Sequence, residues 1–143
     1  MKTNEAGINL IKKWEGFVNH VYLCAAGYPT IGFGHVVLKG ETFTTITEEE
    51  AEELLKKDLG KAERAVTRLI RVHLTENQFA ALVSFTFNLG SGALQRSTMR
   101  IKLNRGEYEE VPIELMKWVW AGGKKLKGLQ RRRKAEGDLW IQQ

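Results

Sequence analysis

The chain has 143 residues, 43% hydrophobic and 27% charged, enough to bury one sizeable core and too few for two full domains, so a single domain over 1–143 is expected. Lys and Arg number 22 against 17 Asp and Glu, and the formal charge of +5 favours an anionic partner: nucleic acid, anionic lipid and bacterial cell wall all fit. Cys24 is the only cysteine, which excludes an internal disulfide, and residues 1–10 hold no apolar run of signal-peptide length. No stretch approaches the ~20 apolar residues of a membrane span, so the expectation is a chain without signal peptide or stable membrane insertion.

From Asn4 to Phe17, apolar residues at Ile8, Leu10, Ile11, Trp14 and Phe17 recur at three- and four-residue steps, which predicts a short amphipathic helix with Glu15 in its last turn. Val21 to Val37 reads as β-structure punctuated by Gly27, Pro29, Gly32 and Gly34. Thr47 with Glu50 is a capping box, and the pattern from Ala51 to Val66 predicts a long helix to about Ile70. Thr75 caps a helix that is apolar nearly all round, the expected central buried one. Further helices are predicted near Ala93–Asn104, Glu107–Trp120 and Leu129–Ile141, with Gly122, Gly123 and Gly128 in the loop before the last. The architecture implied is α+β: a small β-lobe at about 18–46 and a larger helical lobe, joined by the long helix.

Glycoside hydrolysis needs an acid to protonate the leaving oxygen and a second group across the sugar to activate water, bond covalently or stabilise positive charge. A helix-end Glu beside a β-hairpin offers such a place, and the apolar neighbours Trp14 and Phe17 disfavour the charged form of a carboxyl. Taken alone, Glu15 reads equally as a solvated surface charge. Thr30 taken alone reads as plain β-structure, although its hydroxyl can orient a water.

The whole segment from Glu15 to His35, EGFVNHVYLCAAGYPTIGFGH, resembles the active-site segment of the phage-type lysozymes, glycoside hydrolase family 24. That family shows Glu, eight residues, Asp or Cys, five residues, Thr, and the positions here are Glu15, Cys24 and Thr30. The resemblance continues through LTENQFAALVSFTFNLG, STMRIKLNRGEY and WVWAGGKKLKGLQRRRKAE, nearly the whole chain. It implies a lysozyme-like fold, with Glu15 as general acid, the residue at 24 assisting the attacking water or the developing cation, and Thr30 helping to hold that water. It also places Phe87 and Asn88 on the cleft floor and Ser97 facing the same cleft as substrate-binding residues, while Phe87 fits the core equally well.

Cys24 departs from the commoner Asp. A thiol is mostly neutral at pH 7, so three readings stay open: a base or nucleophile, a passive occupant beside Glu15 and an activated water, or a dead site that only binds sugar. The three histidines lack metal-ligand spacing. By the resemblance His35 meets Asp58 as a structural pair between the lobes, and His20 and His73 are read as surface residues. Arg131, Arg132, Arg133 and Lys134 point in different directions on a helix and are read as a solvated face.

The resemblance implies hydrolysis of the β-1,4 bond between N-acetylmuramic acid and N-acetylglucosamine in bacterial peptidoglycan, with inversion, no metal or organic cofactor, and no nucleic acid. Two rivals remain: a lytic transglycosylase, which leaves anhydro-sugars, and a non-catalytic peptidoglycan-binding module, which leaves no product. Without an export signal, the expectation is a monomer stored in the host cytoplasm and admitted to the periplasm and wall by a holin-type release partner.

Overall fold

A computed structural model describes residues 1–142. Helix α1 (Glu5–Glu15) starts at Asn4, whose side chain accepts the Gly7 N–H, and stops at Gly16, where φ is 73° and the Gly16 N–H returns to Lys12 O. Glu15 is therefore its final residue. The chain turns at once into β1 (Val18–Leu23), three residues earlier than the sequence suggests, followed by β2 (Pro29–Gly32) and β3 (His35–Val36) in one antiparallel sheet of order β1-β2-β3. Tyr22 pairs with Thr30 and Leu23 with Pro29, with a bulge between Val18 and Tyr22. Phe33 is buried beneath Phe17 at 5.5 Å between ring centroids, and Lys12 lies over its ring, which ties the sheet to α1.

The capping box at Thr47 and Glu50 opens α2 (Glu48–Leu69), and that at Thr75 and Gln78 opens α3 (Glu76–Leu89). Both follow the sequence reading. Helix α3 buries Phe79 through Thr86 without a break, and α1, α2, the short helix that follows it and the last helix pack around it.

Four expectations need correction. The predicted helix over Ala93–Asn104 is two helices, α4 (Ser91–Arg96) and α5 (Thr98–Asn104), because Ser97 is extended and caps the second: its hydroxyl accepts the Arg100 N–H. The predicted helix over Glu107–Trp120 is one 3₁₀ turn (Tyr108–Glu110) and the short α6 (Val111–Leu115); Pro112 belongs to a first helical turn and fixes where α6 begins. The chain then forms a hairpin that the sequence reading lacked, β4 (Trp120–Ala121) and β5 (Lys124–Lys125), because Gly122 and Gly123 adopt φ of 57° and 76° and make a two-residue turn. Helix α7 (Lys127–Ile141) starts two residues before the predicted one and includes Gly128.

Candidate active site

Glu15 projects from the end of α1 between the sheet and α7. One oxygen, Oε2, accepts a hydrogen bond from Arg132 Nη1 at 2.9 Å; the other, Oε1, lies where a side chain at Gly34 would come within 2.9 Å. Gly34 also has φ of 77°, so a Cβ is excluded there by backbone conformation and by the approach of the carboxyl. The Glu15 side chain keeps 22% of its exposure, whereas that of Arg132 keeps 5%. The surroundings of Glu15 are thus less apolar than Trp14 and Phe17 suggest: a buried guanidinium fixes the orientation of a carboxyl that still reaches solvent.

Arg132 is held in turn. Its Nη2 donates to Ser84 O at 3.3 Å and its Nε lies 3.5 Å from Glu136 Oε2. Arg133, fully enclosed, meets Glu136 Oε1 at 2.6 Å through Nε, donates to Asn88 Oδ1 at 2.8 Å, and lies over the Phe85 ring at 5.2 Å. Glu136 also accepts from Ser84 Oγ at 2.6 Å. Burial pushes the Glu136 carboxyl up, and the two arginines with Ser84 pull against it. Because an arginine keeps its charge in proteins, the group remains a buried ion network of two cations set against Glu15 and Glu136. The solvated-face reading of residues 131–134 therefore fails at Arg132 and Arg133 and holds at Arg131 and Lys134, which are exposed.

Cys24 and Thr30 meet across the β1–β2 turn. The Cys24 N–H donates to Tyr28 O at 3.0 Å, and the Thr30 hydroxyl donates to the same carbonyl at 2.9 Å. Hydrogen bonding from the Tyr28 backbone draws the Cys24 thiol below its ordinary range against burial, with the Ala26 backbone, the Thr30 hydroxyl and the Gly27 backbone adding to it. A lowered pKa gives more thiolate at neutral pH, the form that accepts a proton or attacks carbon. Thr30 is buried and Cys24 half-buried. Among the described residues no hydrogen bond joins Glu15 to either.

The expected substrate-binding residues divide. Phe87 is half-buried and packs on the core, yet also lines a cleft of about 430 Å³ with Asp58, Lys61, Thr86 and Ser91. Asn88 is half-buried, its carbonyl engaged by Arg133 and its amide nitrogen without a partner among the described residues. Ser97 is 1% exposed, its hydroxyl donating to Leu94 O and accepting from Arg100 N, so its hydrogen-bonding capacity is spent on capping α5.

His35 contacts Asp58 Oδ2 through Nδ1 at 2.8 Å, as expected, and Glu41 Oε1 through Nε2 at 2.9 Å, which the sequence reading lacked. Burial pushes the imidazole down, but the hydrogen bonds to Glu41 and Asp58 outweigh it and the net direction is up from 6.5. The native state therefore holds the His35 proton to higher pH than the unfolded chain does. Its contribution to stability is complete below about 6.5 and lost as pH rises through the native value. Melting followed from pH 6 to 9 should show a His35-dependent decline that His35→Asn lacks; equal slopes in both proteins would remove this residue as the clamp between sheet and α2.

Setting a helix-end carboxyl against a small antiparallel sheet, with a helical lobe beneath, is the arrangement of a lysozyme-like glycoside hydrolase. The comparisons agree. The phage lysozyme family model matches residues 12–136. The chain is 41% identical over 143 residues to the endolysin of Bacillus phage B103, covering 99% of this chain and 54% of that protein, so it spans about half of that relative. It is 40% identical over 146 residues to the endolysin of Acyrthosiphon pisum secondary endosymbiont phage 1, with 98% of each covered. Among solved structures, a P22 lysozyme mutant aligns with a TM-score of 0.91 at 36% identity over 99% of each chain. The muramidase domain of SpmX from Asticaccaulis excentricus aligns at 0.90 and 34%, again over 99% of each. The chain belongs to the phage lysozyme family.

Proposed function

We propose that this chain works as one lysozyme unit, a monomeric endolysin that cleaves the β-1,4 bond between N-acetylmuramic acid and N-acetylglucosamine of bacterial peptidoglycan. The observation that carries this reading is the placement of Glu15: a helix-end carboxyl, oriented by Arg132, pressed against Gly34 and open to solvent on one side. Glu15 gives its proton to the glycosidic oxygen as the bond breaks. Water enters from the side of Cys24 and Thr30. The Thr30 hydroxyl orients it, and Cys24, with its lowered pKa, takes its proton, which places the new hydroxyl on the opposite face of the sugar. Phe87 offers an apolar surface and Asn88 a free amide to the glycan.

Mass spectrometry of fragments released from purified peptidoglycan tests the reading. Reducing muropeptides are expected; anhydro-muropeptides would make the protein a transglycosylase, and bound protein with no fragments would make it a binding module.

The same reading has the protein held in the host cytoplasm and admitted to the wall by a holin-type membrane-permeabilising partner. Its support is the likeness of the chain to phage endolysins over nearly its whole length. Expressed alone in intact bacteria, the protein should leave cells unlysed until the membrane is permeabilised. Lysis without membrane damage would remove the release partner.

A further inference from the structure

Helix α2 carries its charge in two halves. Its first turns hold Glu48, Glu49, Glu50, Glu52 and Glu53; beyond them Lys56 is exposed and paired with Glu52 and Glu53, and the further exposed cations are Lys57, Lys61, Arg64 and Arg68. At 3.6 residues per turn these four fall within an arc of about 60° and run about 16 Å along the helix as a single file. Lys57, at the near end, lies in the field of Asp58 and Glu41. Lys61, Arg64 and Arg68 form no ion pair among the described residues. Like charges three and four residues apart destabilise a helix, and an exposed helix face ordinarily relieves this with interspersed acids. The two acids within the file are both engaged elsewhere: Asp58 is half-buried and bonded to His35, and Glu63 is 7% exposed and turned inward to Thr3.

A second feature accompanies the file. Gly60 sits in mid-helix, where glycine is unfavourable relative to alanine, and a side chain there would meet only the Arg64 guanidinium, at 3.0 Å. Arg64 thus lies down over Gly60, and beside it a notch of about 310 Å³ is lined by Lys2, Glu63, Arg64 and Arg68. Lys61 also borders the cleft that Phe87 lines.

We infer that this face of α2 is a docking stripe for a flexible, phosphodiester-linked anionic polymer of the cell wall. A file one residue wide matches a linear chain of anions. It has no aromatic side chain on which a base could stack, and its helix neighbours Gly60 and Thr67 give no apolar face to enter a bilayer. That the polymer is a wall component rests on the function proposed above; the stripe itself rests on the charge geometry.

The test measures binding of the full chain to soluble polyglycerol phosphate between 50 and 200 mM salt. The stripe variant Lys61→Gln/Arg64→Gln/Arg68→Gln is compared with Lys124→Gln/Lys125→Gln/Arg131→Gln, which removes three exposed positive charges elsewhere. The stripe variant should lose at least about tenfold in affinity at low salt and reduce the salt slope by about 2, with the control changing little. Equal losses in both variants would make this a net-charge effect and overturn the stripe, as would absence of wild-type binding at 50 mM salt. Tighter stripe-dependent binding to a single-stranded oligonucleotide would overturn the polymer assignment. Should the triple variant fail to fold, Arg64→Gln and Arg68→Gln singly carry the same comparison. No readout depends on glycan cleavage, so failure here leaves the muropeptide result standing, and the reverse.

Discussion

Glu15→Gln should leave a folded protein that releases no reducing muropeptides, a loss of about 10³-fold or more, because the amide keeps the shape of the side chain and cannot protonate the leaving oxygen. The substitution keeps an oxygen for Arg132 and stays clear of Gly34, so its melting temperature should remain near that of the parent. Retained activity would remove Glu15 as the acid. Cys24 supplies the other half of the test. Cys24→Asp should preserve activity, since a carboxylate is fully ionised at neutral pH and can accept the proton of water, and Cys24→Ala should impair it. Equal activity in the two would make the side chain a bystander, leaving Thr30 and the sugar to hold the water.

The largest effect on stability is expected at Glu136. Its carboxyl is fully buried, accepts from Ser84 and Arg133, and stands beside Arg132. Glu136→Gln keeps the volume and removes the charge, which leaves two buried guanidiniums opposed only by the partly exposed Glu15. Removing one partner from a buried ion network costs about 3–5 kcal/mol, a fall in melting temperature on the order of 10 °C for a chain of this size. Arg131→Gln, an exposed change in the same basic run, should stay within about 0.5 kcal/mol. A small effect of Glu136→Gln, measured by thermal or denaturant melts, would show that the network tolerates an unbalanced charge. Activity of the variant below its melting point adds a second readout: with Glu136 neutral, Arg132 loses one of the groups that hold it, and turnover should fall through misplacement of Glu15.

Local chemistry made much of this molecule legible. Two capping boxes, at Thr47 and Thr75, fix their helix starts through hydrogen bonds made within four residues. The periodicity of α1 ends at a glycine and leaves Glu15 in place, and the Glu15–Cys24–Thr30 spacing marks the candidate site. Where the sequence reading fell short, the deciding contacts lie far apart in the chain. Arg132 reaches Glu15 across 117 residues, and the fourth member of a run of basic residues looks no different from the second until α7 is packed on α3. One local signal was present: Leu129, Arg132, Arg133, Glu136, Leu139 and Trp140 recur at three- and four-residue steps, the spacing of an inward face. Charge at those positions hid it, because two arginines become core residues only where a glutamate at helical spacing and Ser84 from another helix satisfy them. Glu41 joins His35 for a comparable reason, through a loop whose course depends on the packed sheet. The sequence by itself determined the caps of α2 and α3 and the end of α1 at the candidate acid Glu15; the tertiary structure alone decided which buried charges hold that carboxyl, since a charge leaves water only when partners from distant segments arrive together.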